Sequence, residues 1–255
     1  MTGEKIFEMK AINELTKDEF IQKSIDDWRN YANNIIEEVQ NVKFKQIKLL
    51  SYFSIVESIA QDMANYPKMK QQKAFTDFVL KYQKGYDFLS FTDPITLYYR
   101  FEEELKEDVS LDEYLDDGGI YHFNCEALNK LIEKIRNTLL KTKSQDSINK
   151  IMLQHRYVDL LYRLRCKVSH EFSDNHISDF DVLLIPYYIN CSRIYLKDNK
   201  IVNDEVWELR MPIRFIKELC LNCINNYLDE CQKNKELPLE NDTLNRKSQL
   251  SWYQE

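Results

Sequence analysis

Apolar residues recur along most of this chain at three- and four-residue steps, the period of helices buried on one face. Phe20, Ile21, Ile25, Trp28, Ala32, Ile35 and Ile36 trace one such stripe. Ile47, Leu50, Phe53, Val56, Ile59, Ala60 and Met63 trace a second. That second helix stops before Pro67, because the residue ahead of a proline avoids the helical region. A third helix is predicted from Met69 to Tyr82, closing near Gly85. Asp93-Pro94 reads as a helix start, with Asp93 as the cap and Pro94 in the first turn. Gly118-Gly119 marks a turn. Ala127, Leu128, Leu131, Ile132, Ile135 and Leu139 predict a further amphipathic helix, followed by a polar loop over 141–149 with a Ser or Asp cap. The next helix is expected from near Ile148 through Leu153, Leu161 and Leu164 to about Val168.

The period then changes. Asp181 to Leu196 is rich in Val, Ile, Leu and Tyr, Asp198-Asn199-Lys200 is a turn signal, and Ile201 to Leu209 alternates. Together they predict a β-hairpin at 181–209. Pro212 opens a last long helix carrying Ile213, Ile216, Leu219, Cys220, Cys223, Ile224, Tyr227 and Leu228. The fold expected is mainly α: a helical bundle with a small β-hairpin inserted before the last helix. Residues 1–237 form one domain with an N-terminal helical extension, and 238–255 form a polar C-terminal tail. Four glycines and five prolines in 255 residues agree with helices rather than a turn-rich β fold.

No run of about 18 apolar residues occurs, so no membrane span is expected. Met1 to Leu15 lacks the apolar core of a signal peptide. A cytoplasmic location with six reduced cysteines is the expectation. Cys220, Cys223 and Cys231 invite a zinc reading, but Cys220 and Cys223 fall on the apolar face of their helix, and no metal or other cofactor is expected.

The formal net charge of −7 argues against nucleic acid until its distribution is read. Residues 102–117 hold nine acids and one base; the remainder of the chain has 33 acids and 34 bases. Residues 141–170 hold seven bases and two acids. A phosphate-binding surface needs such a local excess, not a basic whole protein.

That basic stretch runs into Val158-Asp-Leu-Leu-Tyr-Arg-Leu-Arg-Cys-Lys-Val-Ser-His-Glu-Phe172. Arg165 stands five residues before His170, and Arg163 seven. A histidine titrating near neutrality can move the protons that RNA self-cleavage requires. A guanidinium matches two phosphate oxygens and stays charged. On an unbroken helix Arg163 and His170 lie nearly in line, whereas Arg165 and His170 diverge by about 140°. A helix ending near Lys167 would instead make Arg165 the nearer partner. Arg165 is the favoured phosphate ligand, with Arg163 in support. The bland alternative is that these bases only complement a helix C-terminus and that His170 is a cap or surface residue.

Leu161 to Phe172 resembles the R-x4-6-H signature of the HEPN superfamily, helical-bundle domains found in many prokaryotic toxins and antiviral effectors. The family's usual form has a polar residue, often Asn, directly after the arginine; here that position is Cys166. The resemblance implies a metal-independent endoribonuclease with His170 as general acid/base and Arg165 as phosphate ligand. It implies RNA as substrate, a homodimer as the working unit, and a defence or toxin-like role with a regulatory or antitoxin partner. It also implies an acidic or polar residue facing the motif from an earlier helix. Glu57, a lone charge inside an apolar stripe, is the candidate, and a position at the stripe's solvent edge is the alternative reading. Tyr162, Lys167 and Ser169 are further candidate substrate contacts. A HEPN-like protein that binds RNA, a nucleotide or a protein partner without catalysis is the rival reading.

Overall fold

A computed structural model of the chain describes residues 15–64, 69–115, 119–122, 126–171, 177–178, 185–197 and 200–238. Helices dominate: α1 (Lys17–Gln40), α2 (Lys45–Met63), α3 (Gln71–Tyr82), α4 (Pro94–Arg100), α5 (Glu102–Leu105), α6 (Glu126–Leu139), α7 (Gln145–Leu153), α8 (Tyr157–Glu171) and α9 (Ile213–Asn234). The strands are β1 (Ile120–His122), β2 (Ile177–Ser178), β3 (Tyr187–Lys197) and β4 (Lys200–Pro212). The fold is thus mainly α, with a small antiparallel sheet ahead of the last helix.

Each helix start described next has a local cause. Thr16 and Glu19 close a capping box on α1. Asp93 caps α4, its Oδ1 accepting from the Ile95 amide at 2.9 Å with Pro94 in the first turn. Ser144 caps α7. α3 is followed by Gly85, whose φ of +89° lies in the left-handed region that a side chain disfavours. The bundle core is α1, α2, α3 and α9, which pack on one another, and α8 lies across α2 and α3. Ile25, Ile36, Leu49, Phe75, Val158, Leu161, Val168, Phe215, Ile216 and Cys223 are among its buried side chains. α1 packs against both α2 and α9.

The sequence pattern and the structure differ around α7 and α8 and in the sheet. The single helix expected from Ile148 to Val168 is two helices, α7 and α8, separated at Gln154-His155-Arg156. Those three consecutive polar residues interrupt the apolar stripe, and the backbone at His155, Arg156 and Tyr157 pairs with residues 91–93 instead. α8 then runs on to Glu171, past the predicted end. The hairpin is present as β3 and β4 paired in register from Tyr187↔Arg210 to Lys197↔Lys200, although 179–184 and 198–199 lie outside the described residues. Ile120–His122, where the apolar pattern predicts no element, forms β1 and pairs antiparallel with Tyr187–Ile189. β2 adds two residues in parallel beside the end of β4. Gly118, Phe172, Pro67 and the tail 239–255 lie outside the described residues.

Among the described residues no helix is long and apolar enough to cross a membrane. The described part of the acidic block, 102–115, is a short helix and turns; Glu103 pairs with Lys106 within it, and two ion pairs run to the loop between α6 and α7, Asp108 with Lys141 at 2.7 Å and Glu104 with Lys143 at 2.5 Å.

Candidate functional site

α8 carries the basic motif, and its first residue is fixed from three sides. The Asp93 amide donates to the His155 carbonyl at 2.8 Å, and the Tyr157 amide donates to the Phe91 carbonyl at 3.0 Å. The Tyr188 hydroxyl of β3 donates to Asp93 Oδ1 at 2.6 Å and meets the Tyr157 hydroxyl at 2.5 Å. Asp93, Tyr157 and Tyr188 are buried. Burial pushes the Asp93 carboxyl above its ordinary pKa, against the opposing pull of the Tyr188 hydrogen bond. The hairpin, α4 and α8 are thereby pinned at one point.

Further along α8 the motif residues divide between two faces. Arg165 turns toward α2, where Nη2 and Nε reach Glu57 Oε2 at 2.6 and 3.1 Å. Glu57 is 4% exposed, so the lone charge in the apolar stripe is a buried partner and not a solvent-edge residue. Its Oε1 is buried without a hydrogen bond among the described residues. Burial works against the charge of Arg165, but the hydrogen bond and charge of Glu57, together with an interaction with Cys166, outweigh it and raise the guanidinium pKa. Tyr162 is buried beside this pair, its ring 5.5 Å from that of Phe75. Its hydroxyl is pushed up by burial first and then by Cys166 and Glu57. Cys166, which stands where the family pattern has a polar residue, interacts with both Tyr162 and Arg165. Ser169 is turned inward along the helix and donates to the Arg165 carbonyl at 3.0 Å.

The other face carries Arg163, Lys167 and His170, all exposed. Steps of four and three residues place them in one row. The His170 imidazole makes no hydrogen bond to another described residue. Because α8 is unbroken to Glu171, the bend that would bring Arg165 beside His170 is absent, and the two diverge by about 140° within one chain. The structure pairs Arg165 with Glu57 and leaves Arg163 and Lys167 as the cations on the His170 face. Arg163 reaches back along the helix, as helical side chains do, and its Nη2 donates to the Gln154 carbonyl at 2.7 Å.

One group was not singled out by the sequence. His155, 1% exposed, sits in the α7–α8 turn. Its Nδ1 is 2.8 Å from the Ile151 carbonyl, which can only accept, so Nδ1 carries the proton. Nε2 then offers its lone pair to Arg100 Nη1 at 3.3 Å. Burial first, and then the charges of Arg100 and Arg163, hold the imidazole pKa below 6.5, so the ring is neutral at pH 7. The signal in the sequence was the polar triplet 154–156 breaking an apolar run.

The cysteines of α9 pack in the core. Cys220 and Cys223 are buried, and Cys220 Sγ donates to the Tyr52 carbonyl at 3.5 Å. Among the described residues no three His, Cys, Asp or Glu side chains cluster as a metal-binding group. No protein-family profile, curated protein or solved structure matches this chain.

Proposed function

We propose that the protein is a metal-independent endoribonuclease of HEPN type. The observation that carries this reading is the exposed row Arg163–Lys167–His170 on α8, backed by the buried Arg165–Glu57 pair. An RNA strand laid along this face places a phosphate against Lys167 and its 2′-hydroxyl within reach of His170. The imidazole takes the 2′-hydroxyl proton as the oxygen attacks phosphorus, or supplies a proton to the departing 5′-oxygen. The products are a 2′,3′-cyclic phosphate and a free 5′-hydroxyl. Lys167 stabilises charge on the phosphoryl oxygens, and Arg163, about 10 Å from His170 along α8 and turned toward Gln154, holds the strand. Arg165, engaged by Glu57, adds positive potential and fixes α8 on α2; the direct phosphate contact passes to the exposed cations. The homodimer that the family resemblance implies would bring a second His170 to the scissile bond, so that one ring acts as base and the other as acid. A defence or toxin-like role, and control by a partner, belong to the same reading.

The second reading is a protein that holds RNA without cutting it. It is favoured by one geometric fact: within a single protomer the motif's Arg165 and His170 are not side by side. Substitution separates the two. On the nuclease reading, His170→Ala lowers cleavage by about 10²–10⁴-fold with RNA affinity kept. Lys167→Ala weakens binding and flattens its salt dependence by about 0.7 in log–log slope for each phosphate no longer neutralised. RNA binding that depends on Lys167, with no cleavage by the wild type at any RNA tested, supports the binding protein instead.

A further inference from the structure

We propose that the α7–α8 turn and the cavity beside it form a nucleotide subsite, with a phosphate on Arg100, Arg156 and Arg163 and an unpaired base in the cavity against Phe91. Three guanidinium groups dock on three consecutive residues of this turn. Arg156 Nε donates to the Leu153 carbonyl at 3.1 Å, Arg163 Nη2 to the Gln154 carbonyl at 2.7 Å, and Arg100 Nη1 to His155 Nε2 at 3.3 Å. They come from α4, from the turn itself and from the second turn of α8, so the convergence is a product of the fold and not of one helix. Asp159 offsets one of them, accepting from Arg156 Nε at 2.8 Å. His155 contributes no charge, so two positive charges remain. Each guanidinium has five N–H donors and uses only part of them here. Arg100 and Arg163 are exposed, so their remaining donors are open to a ligand.

A cavity of about 400 Å³ that borders the same turn is lined in part by Phe91, Thr92, Asn129, Ile132, Met152 and Tyr157. That volume lies at the small end of ligand pockets, which run from about 300 to 1,000 Å³. Thr92 ties this cavity to the arginine turn, pairing with Arg156 across an isolated bridge and donating from Oγ1 to the Met152 carbonyl at 3.2 Å. Phe91 is 46% exposed at the rim although Phe88 and Leu89, just before it, are core residues. An exposed ring beside apolar walls with a few polar groups is a stacking platform for a base, whose faces are apolar and whose edge needs hydrogen bonds. A phosphate and its own base are joined by a few bonds, as the arginines and the cavity are joined by one turn. As part of an RNA strand this subsite rests on the ribonuclease reading. His170, Lys167 and Arg163 then form a track of about 10 Å along α8 that ends at the turn, and the subsite selects a single-stranded nucleotide next to the cleaved bond.

The test is binding of a fluorescent 12-nucleotide 2′-O-methyl RNA, which cannot be cleaved because its 2′-oxygen carries no proton. The same strand with abasic sites, and uridine and adenosine monophosphates, serve as further probes. The variants are Phe91→Ala, Asn129→Asp and the double variant Arg100→Gln/Arg163→Gln, each checked for an unchanged helical spectrum and melting point. The expected result is that Phe91→Ala and Asn129→Asp weaken the normal strand about tenfold and leave the abasic strand unchanged, whereas the arginine double variant weakens both. Wild-type binding of the strand that is indifferent to Phe91 and Asn129 overturns the subsite and leaves the RNA reading intact. Binding of the mononucleotides but not of the strand, still dependent on Phe91, keeps the subsite as one for a free nucleotide and overturns the RNA reading. Binding of neither overturns both.

Discussion

Glu57 and Arg165 show what a buried ion pair does at the scale of single residues. Both charges are largely removed from water, with side-chain exposures of 6% and 21%, and Arg165 satisfies one of the two Glu57 oxygens. Removing one partner strands the other charge, which costs more than the pair itself contributes. Glu57→Ala is expected to destabilise the protein by about 2–4 kcal/mol in urea unfolding, and Glu57→Gln, which keeps an acceptor, by less. Wild-type stability in Glu57→Gln would show that the charge of Glu57 is irrelevant. His155 gives a second residue-scale prediction, in pH. Its folded pKa lies below the unfolded value of 6.5, so below about pH 6.5 the unfolded chain binds the proton first, and stability falls as the solution is acidified from there toward the folded pKa. Above pH 6.5 this residue contributes no slope. His155→Gln should flatten that part of the stability-against-pH curve. A curve unchanged by the substitution would place the acid sensitivity elsewhere.

Elements are joined in this protein by a few polar contacts whose residues are far apart in sequence. The Asp93–Tyr188–Tyr157 contacts bind the start of α4, the hairpin and the start of α8. Tyr188→Phe removes the hydroxyl and leaves buried Asp93 short of a donor, at an expected cost of about 1–3 kcal/mol. Because α8 is one of the elements released, hydrogen exchange should rise at the amides of Asp93 and Tyr157. Exchange that rises only within β3 would contradict the pinning role. This scale also shows what the sequence made legible. Helical stripes, the Asp93-Pro94 start and the hairpin could all be read because each is encoded within a few neighbouring residues. Glu57 stood out as a charge inside an apolar stripe, but whether it was a buried partner or a solvent-edge residue depended on how α2 packs against α8. The break between α7 and α8 left one weak mark, the polar triplet 154–156, which also fits a helix's solvent face and becomes a turn only through pairing with 91–93. β1 is short and exists because β3 offers it an edge. The choice between Arg163 and Arg165 depended on where α8 stops, and the continuation through Ser169, His170 and Glu171 reverses the answer that an earlier end would give.

Charge is arranged across the whole molecule rather than carried by one motif. The acidic block lies against the α6–α7 loop, where Glu104 and Asp108 hold Lys143 and Lys141. By holding these two lysines, the block keeps them out of the positive surface that leads to α7 and α8. These surface pairs contribute little to stability. Glu104→Gln/Asp108→Asn should therefore leave the melting temperature nearly unchanged while raising RNA affinity several-fold at low salt, an effect that fades as salt screens it. Unchanged affinity at low salt would show that the acidic block and the binding face act independently.

The central claim is that α8 presents His170 to cleave RNA without a metal. The most direct measurement is incubation of purified wild type and His170→Ala with single-stranded RNA and a transfer-RNA pool in excess EDTA, followed by identification of the fragment ends. The expected result is fragments ending in 2′,3′-cyclic phosphate and 5′-hydroxyl from the wild type and none from His170→Ala. Cleavage that persists in His170→Ala, or that vanishes from the wild type when EDTA is added, would contradict it.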